Sequence, residues 1–465
     1  MERDPARRTR DGVFRLLTSG GLAVLDPLFT TDAMREVFSD RARVQRMLDF
    51  EAALARAEAS VGVIPADAAD TIGRCCRAED FDLAKIAVAA RDAGNVAIPL
   101  IGRLTERVAR AHPGAPGYVH WGATSQDVID SGLVLQLRDA LTLIEKDVTR
   151  LADVLAKQAS VHRATLIAGR TWLQQALPVT LGLKLATTLA ALERHRARLA
   201  ALRQRALVLQ FGGAAGTLAS LGSRGLAIEA ALATELNLAI PTLPWHTQRD
   251  NLCEVATFLG LVVATVGKLA RDLALLAQTE VGETFEPAKA GRGGSSTMPQ
   301  KRNPVGASIA LAAAVRVPGL VATMLAAAVQ EHERGLGNWP AEWDTLPEIV
   351  LLAAGALDAM AGVVEGLETD VARMRANLDI SQGQILAEAV QMALAPTLGR
   401  NVAHELVASA SRRARSERRH LRDVLAEEPR VTAVLDRDAI GRVFDPQSYL
   451  GSTDAFIERA LARRG

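Results

Sequence analysis

The sequence predicts an all-α fold, because helical periodicity dominates the chain and strand signals are scarce. Between positions 137 and 155, apolar residues are spaced alternately by four and three, the heptad pattern of a long helix packed against other long helices. The residues of this first seam are Leu137, Leu141, Ile144, Val148, Leu151 and Leu155. Aromatic residues make up only 4% of the chain, and β-branched alternation is short wherever it occurs.

A second seam with the same spacing runs from Leu252 to Leu276. This helix is apolar on nearly every side through its middle. A helix with so little polar surface is surrounded by other helices, within its own chain or across subunits. We therefore expect an isolated chain to expose this stripe and the protein to self-associate.

The length of 465 residues is too large for one simple core and predicts several domains. We assign residues 1–20 to a disordered tail, 21–125 to an N-terminal helical domain, 126–370 to a central long-helix bundle and 371–465 to a C-terminal helical domain. The tail is charged and lacks the apolar stretch of a secretory signal.

The composition excludes several classes of protein. With 54 basic and 53 acidic residues, the chain lacks the net positive charge of a nucleic-acid binder. Cys75 and Cys76 are adjacent and no CxxC spacing exists, so neither a disulfide framework nor a structural zinc site is expected, and the cysteines fit a reducing cytoplasm. The uncharged apolar stretch at 255–267 is shorter than the ~20 residues of a membrane span.

Chemistry-bearing residues lie in three polar breaks between the helical patterns. The sharpest is GRGGSSTMPQKRNPV, residues 291–305, which combines glycines with serines, a lysine and an asparagine. Glycines before a cation and an amide suit a mobile loop that closes over an anionic substrate. A flexible linker between two helices would have a similar composition.

The second break is YVHWGATSQDVID, residues 118–130, in which Thr124, Ser125, Gln126 and Asp127 precede an apolar helix. These side chains can cap the helix, and the free N–H groups of a helix N-terminus also bind carboxylates. The third break is GRTWLQQALPVTLG, residues 169–182. A tryptophan among hydrogen-bonding groups there is either a pocket wall or a core residue. The polar residues beside it are Arg170, Thr171 and Gln174, around Trp172.

The segment GSSTMPQKRNP resembles G-S-S-x-M-P-x-K-x-N-P, the signature of the fumarase/aspartase superfamily of lyases. Eight placed residues match it: Gly294, Ser295, Ser296, Met298, Pro299, Lys301, Asn303 and Pro304. The resemblance covers the chain after about residue 20, and the other two breaks occur in the expected order.

Within the superfamily, the chain is most similar to the cycloisomerases that act on 3-carboxy-cis,cis-muconate. Trp172 carries much of this similarity, because most lyases of the superfamily have a histidine at its position. Amine-releasing lyases also tend to carry an arginine where this chain reads Ala341-Glu342-Trp343.

The resemblance implies roles for the residues at matching positions. Ser295 would transfer the proton, although the residues leave open whether Ser295 or Ser296 does so. Lys301 and Arg334 would supply positive charge to a tricarboxylate substrate, and Trp172 would shape its pocket. The remaining substrate-binding candidates are Thr124, Ser125, Gln126, Asp127, Arg170, Thr171, Gln174, His246, Gln248, Ser296, Met298 and Asn303.

The implied reaction is an intramolecular addition of a carboxylate to a double bond, with proton transfer at the neighbouring carbon. No amine leaving group needs a proton, which agrees with the missing histidine. An amine lyase of the adenylosuccinate or argininosuccinate type, and a catalytically silent homologue, are the alternatives.

The resemblance also implies an all-α, three-domain subunit whose central helices assemble into a homotetramer, with each active site shared between subunits. Neither a metal nor another cofactor is expected, because the chain has no P-loop, dinucleotide fingerprint or metal-ligand spacing.

Overall fold

The structure is a computed structural model that describes residues 24–288, 293–294, 297–298 and 300–462. The predicted tail at 1–20 lies outside these residues. Helices dominate the described chain, as the heptad pattern predicts.

The first helices are α1 (Asp26–Phe29), α2 (Asp32–Val37), α3 (Asp40–Ser60), α4 (Ala66–Cys75), α5 (Leu83–Ala93) and α6 (Ala97–Ala111). Longer helices follow: α7 (Ser125–Val161), α8 (Leu181–Ala206), α9 (Gly225–Leu236), α10 (Asp250–Leu276), α11 (Val305–Ala327) and α12 (Asn338–Glu365). The C-terminal helices are α13 (Val371–Asp379), α14 (Ala387–Leu398), α15 (Arg400–Glu417), α16 (Leu421–Leu425), α17 (Pro429–Thr432), α18 (Arg437–Val443) and α19 (Thr453–Ala462).

Both predicted seams are confirmed as the buried faces of long helices. The first lies on α7, whose 37 residues span about 55 Å, and every one of its apolar members is fully buried. The second lies on α10 and is also buried within the chain from Leu252 to Leu276. The expectation that an isolated chain would expose this second seam is therefore wrong, because helices of the same chain cover it.

Among the three most apolar helices, α11 leaves the largest share of its apolar surface uncovered. By length and composition, α10, α11 and α12 are each long and apolar enough to cross a membrane. In the most apolar 18-residue stretch of each helix, however, 61% of α10 and 72% of α12 is buried, against 22% of α11. Val315 and Leu325 on α11 are exposed at 77% and 51%. An exposed apolar helix face of this kind marks an interaction surface.

The strands of the described chain form two short antiparallel ribbons. Strand β1 (Leu166–Thr171) pairs with β2 (Gln174–Thr180), and β3 (Thr284–Phe285) pairs with β4 (Glu368–Thr369). The third polar break is thus a β-hairpin. Sequence reasoning missed it because its polar residues hide the alternation that signals a strand.

The turn of the first hairpin is strained. Thr171 pairs with Gln174, so Trp172 and Leu173 form a two-residue turn, and both have positive φ, 52° and 65°. Turns of this kind favour Asn and Gly, because left-handed backbone costs a residue with a larger side chain about 1–2 kcal/mol. Both side chains are exposed, Trp172 at 95%.

The chain divides into two compact units, each built from three segments. The first comprises the described residues of Met1–Val148, His195–Ala264 and Ile309–Asp358. The second comprises the described residues of Thr149–Arg194, Thr265–Ser308 and Ala359–Gly465. In the second unit, the β1–β2 hairpin packs on α13 and on the buried side chains of Leu378 and Ile385. The division at residues 125 and 370 drawn from the sequence stays a prediction.

Candidate active site

The N-terminus of α7 is organised by the buried carboxylate of Asp127. This carboxylate accepts hydrogen bonds from the backbone N–H groups of Thr124 (3.0 Å), Gly212 (3.0 Å) and Gly213 (2.9 Å). It also pairs with Nε2 of His246 at 2.7 Å. Asp127 therefore caps α7 and fixes the loop after α8.

Glycine is required in that loop because the chain passes so close to its neighbours. A Cβ atom on Gly212 would come within 2.8 Å of Pro244 and 2.9 Å of the ring of His246. Both contacts are closer than packed carbon atoms tolerate. A side chain at Gly212 would thus push the loop away from Asp127.

Several predicted site residues of the first unit do lie together. Thr124 and Ser125 are half-buried at the first turn of α7. Gln126 is fully buried, and its Oε1 accepts a hydrogen bond from Nε of Arg334 at 3.0 Å. The Asp127–His246 pair completes the group. Gln248 is exposed and makes no hydrogen bond that places it in this group.

A buried ionic triad beside these residues was missed by the sequence reasoning. Arg249 is fully buried and binds both oxygens of Asp130, at 2.6 and 3.0 Å, and Glu342 at 2.6 Å. Its guanidinium also stacks over the ring of Trp245, 4.8 Å from the centroid. Burial raises the pKa of Glu342, and the hydrogen bond from Arg249 opposes that rise.

His120 lies in the second polar break, residues 118–130, and pairs with a buried acid. Its Nδ1 lies 2.7 Å from Oε1 of Glu51, which is almost fully buried on α3. Burial opposes the charged ring, but the Glu51 carboxylate outweighs burial and raises the pKa of His120. Two turns further along the same face of α3, Glu58 is fully buried. This burial and the nearby Glu51 raise the pKa of Glu58 to about 9. Glu58 is therefore uncharged at neutral pH.

In the second unit, Arg170 is committed to a structural ion pair. Both of its terminal nitrogens bind the carboxylate of Glu283, at 2.9 and 2.8 Å, and Glu283 is fully buried. Asn377 of α13 donates to the same carboxylate at 2.8 Å. This geometry anchors the hairpin and leaves the guanidinium of Arg170 facing a protein carboxylate. Thr171 and Gln174, at the hairpin tip, are exposed.

The signature segment is described only in part, and Ser295 and Ser296 lie outside the described residues. Gly293 has φ +71°, and a Cβ atom there would lie 2.6 Å from the carbonyl oxygen of Asn303. Lys301 and Met298 are exposed. Glycine at position 293 therefore lets the two ends of the segment approach each other.

The exit of the segment is tied to the start of α11. The carboxylate of Glu286 accepts hydrogen bonds from the N–H groups of Gly306 (2.9 Å) and Ala307 (2.8 Å). Arg302 donates to the carbonyl of Glu286 at 2.6 Å and pairs with Glu368 at 2.9 Å. These bonds hold Arg302 and the first turn of α11 in place, just after Lys301.

Comparisons with known proteins identify the family of this chain. A family profile described as "Lyase" matches residues 28–319, and one described as "Adenylosuccinate lyase C-terminus" matches residues 383–460. A 3-carboxy-cis,cis-muconate cycloisomerase of Pseudomonas aeruginosa is 60% identical over 94% of this chain and 96% of its own.

The chain belongs to the fumarase/aspartase family of lyases. Its fold matches the crystal structure of 3-carboxy-cis,cis-muconate lactonizing enzyme from Pseudomonas putida with a TM-score of 0.90 and 55% identity, over 94% of this chain and 98% of that one. A cycloisomerase structure from Acinetobacter calcoaceticus sp. ADP1 matches with a TM-score of 0.89 and 43% identity, over 94% and 99%. The predicted all-α lyase fold and the family resemblance are thereby confirmed.

The first prediction concerns the stability that the ion pair between Arg170 and Glu283 gives to the fold. Arg170→Met leaves the Glu283 carboxylate buried without its cation, so we expect a loss of about 3–5 kcal/mol in the free energy of unfolding. Replacing both residues, as Arg170→Met with Glu283→Met, removes the orphaned charge and should restore most of that loss. Thermal and urea unfolding of the single and double variants measure it.

The matched control is Arg205→Met, which breaks the exposed ion pair between Arg205 and Glu254. It should barely change the melting temperature, because solvent screens exposed pairs. A double variant no more stable than Arg170→Met would contradict the structural role of the pair.

The second prediction concerns pH. Glu58 has a folded pKa of about 9, above its ordinary value of 4.5, so the folded chain keeps a proton that the unfolded chain releases. Stability supplied by this proton is complete below pH 4.5 and declines as the pH rises towards 9. Glu58→Gln removes the decline, so its melting temperature relative to the parent chain should be higher at pH 8 than at pH 5.

Glu405→Gln, on the exposed surface of α15, is the control and should show the same difference at both pH values. A Glu58→Gln difference that does not depend on pH would show that Glu58 is charged in the folded chain.

Proposed function

We propose that this chain catalyses the cycloisomerisation of 3-carboxy-cis,cis-muconate to a carboxymuconolactone, a step in the catabolism of protocatechuate by the β-ketoadipate route. The observation that carries the proposal is near-full-length identity, between 46% and 60%, to four bacterial relatives that bear this enzyme name. Adenylosuccinate and argininosuccinate lyases are not favoured by any feature of the described site.

The reaction rearranges the bonds of one substrate molecule and takes up one proton, which the enzyme delivers and regains from solvent. One substrate carboxylate attacks the carbon of a double bond and forms the C–O bond of the lactone. The electron pair of that double bond moves to the neighbouring carbon and its own carboxylate group, giving an aci-carboxylate. A proton from the enzyme then forms the new C–H bond at that carbon, and Ser295 is the proposed donor.

The aci-carboxylate carries two negative charges, so its stabilisation needs cations and oriented hydrogen-bond donors. We assign this task to Lys301, Asn303, Arg334 and the hydroxyl groups of Thr124 and Ser125. Arg334 is exposed and lies beside the N-terminus of α7, where backbone N–H groups favour a carboxylate. Arg170 anchors the hairpin in this proposal, because its guanidinium is already paired with Glu283.

The hairpin tip supports a site shared between subunits. An indole that is 95% exposed on a strained turn gains nothing within its own chain. We propose that Trp172 enters the substrate pocket of a neighbouring subunit and shapes it for the folded diene. The exposed apolar face of α11 supports a homotetramer, in which this helix packs against its counterparts.

We further propose that the protein is a soluble cytoplasmic enzyme that needs neither a metal nor another cofactor. Since α10 and α12 bury most of their most apolar stretches inside the chain, we interpret their high hydropathy as that of core helices and not of membrane spans. Proton transfer and charge stabilisation by side chains are sufficient for the proposed reaction.

The direct test is the loss of diene ultraviolet absorbance when purified protein meets 3-carboxy-cis,cis-muconate, with adenylosuccinate and argininosuccinate in parallel. We expect turnover of the muconate alone.

Ser295→Ala should reduce kcat by about 100-fold or more, because proton transfer by a positioned group contributes on that scale. If Ser295→Ala turns over normally and Ser296→Ala is inactive, Ser296 is the proton donor instead of Ser295. Turnover of adenylosuccinate or argininosuccinate would refute the proposed function.

A further prediction tests the assembly. Val315→Glu places a charge on the exposed apolar face of α11, so we expect dissociation of the tetramer and loss of turnover. Val88→Glu, at another exposed position on α5, is the control and should remain tetrameric. Sedimentation velocity measures both, and a tetrameric, active Val315→Glu would exclude this face as the interface.

A further inference from the structure

The side-chain amide of Gln126 has a fixed orientation inside the first unit. Its Nε2 donates to the carboxylate of Asp130 at 3.0 Å and to the backbone carbonyl of His246 at 2.7 Å. Both partners can only accept, so the nitrogen must face them and the oxygen must face the opposite way. Gln126 is fully buried, which leaves its amide no alternative partners in solvent.

The oxygen of this amide meets Arg334. Oε1 of Gln126 accepts from Nε of Arg334 at 3.0 Å, and Nη2 of Arg334 donates to the carbonyl of Ala214 at 3.2 Å. A guanidinium has five N–H groups in a planar fork. Two bonds at one edge therefore fix the plane of the guanidinium and leave further N–H groups for an anion.

Asp130, at the other end of the amide, is itself immobile. It accepts from Arg249 through both oxygens, and its Oδ1 also accepts from Nε1 of Trp339 at 3.1 Å. Arg249 is fully buried, so any movement of Asp130 would leave a buried charge short of a partner. Such a loss strongly destabilises the folded chain. The triad of Asp130, Arg249 and Glu342 is thus a rigid base on which the amide rests.

We propose that Gln126 is a positioning residue, which transmits the rigidity of the Asp130–Arg249–Glu342 triad to Arg334 and so orients the guanidinium that binds a substrate carboxylate. The proposal rests on the function proposed above for Arg334. It assigns Gln126, expected from the sequence to contact substrate, an indirect role. The nitrogen of its buried amide already donates two hydrogen bonds within the protein, and the oxygen already accepts one.

The test compares two buried glutamines on α7. Gln126→Met keeps the length and volume of the side chain but removes the bond to Arg334. Gln136→Met is the matched control, because Gln136 is equally buried and donates only to the carbonyl of Val37, at 2.7 Å. We expect Gln126→Met to raise KM for the muconate about tenfold with a smaller change in kcat, since uniform binding is lost. Gln136→Met should leave KM unchanged.

A double-variant cycle separates positioning from a general structural role. In an Arg334→Ala background, Gln126→Met should weaken binding no further, because the group through which it acts is gone. Additive effects of the two substitutions would overturn the proposal. If Gln126→Met does not fold, Gln126→Leu takes its place. Leucine also removes the acceptor for Arg334, so undiminished affinity in that variant would overturn the proposal.

Binding of propane-1,2,3-tricarboxylate, measured by calorimetry, keeps this test distinct from the proposed function. If the chain binds this probe but does not turn over the muconate, the function fails while the cycle can still be measured on binding. If the parent chain does not bind the probe, Arg334 holds no carboxylate and the positioning proposal fails as well.

Discussion

The carboxylate of Asp127 is the interaction on which the candidate site depends. It caps the longest helix of the described chain, holds the Gly212–Gly213 loop and pairs with His246. A buried carboxylate with this many donors is satisfied only in one arrangement of its neighbours. Polar groups from three distant stretches of sequence therefore converge at one helix N-terminus, where the free N–H groups and Arg334 create a positive environment.

The cations predicted for the site or found beside it fall into two groups. Arg170 and Arg249 each face a buried carboxylate and are neutralised within the protein. Lys301 and Arg334 are exposed and keep donors for an external anion. Charge type alone does not separate these groups. Burial of the acidic partner separates them. A buried carboxylate needs a cation paired with it permanently, whereas a substrate carboxylate needs a cation that has no such partner.

Sequence periodicity predicted the fold better than it predicted the site. The seams on α7 and α10 were predictable because burial repeats every three or four residues. The hairpin was not, since Arg170, Thr171 and Gln174 mask its alternation, and Trp172 occupies a turn position where glycine would signal one. Ion-pair partners more than 90 residues apart, such as Arg249 and Glu342, leave no local pattern at all. The motif matches identified the segments of the site without revealing which residues are structural.

The hairpin turn also sets a limit on engineering. Asn-Gly at positions 172 and 173 would relieve the positive-φ strain, and a stability screen on the isolated chain would select it. Such a screen would discard the indole and, with it, the contribution that we propose one subunit makes to the pocket of its neighbour. Selection for thermostability and selection for turnover thus act in opposite directions at this one residue pair, so a library directed at the turn needs both measurements.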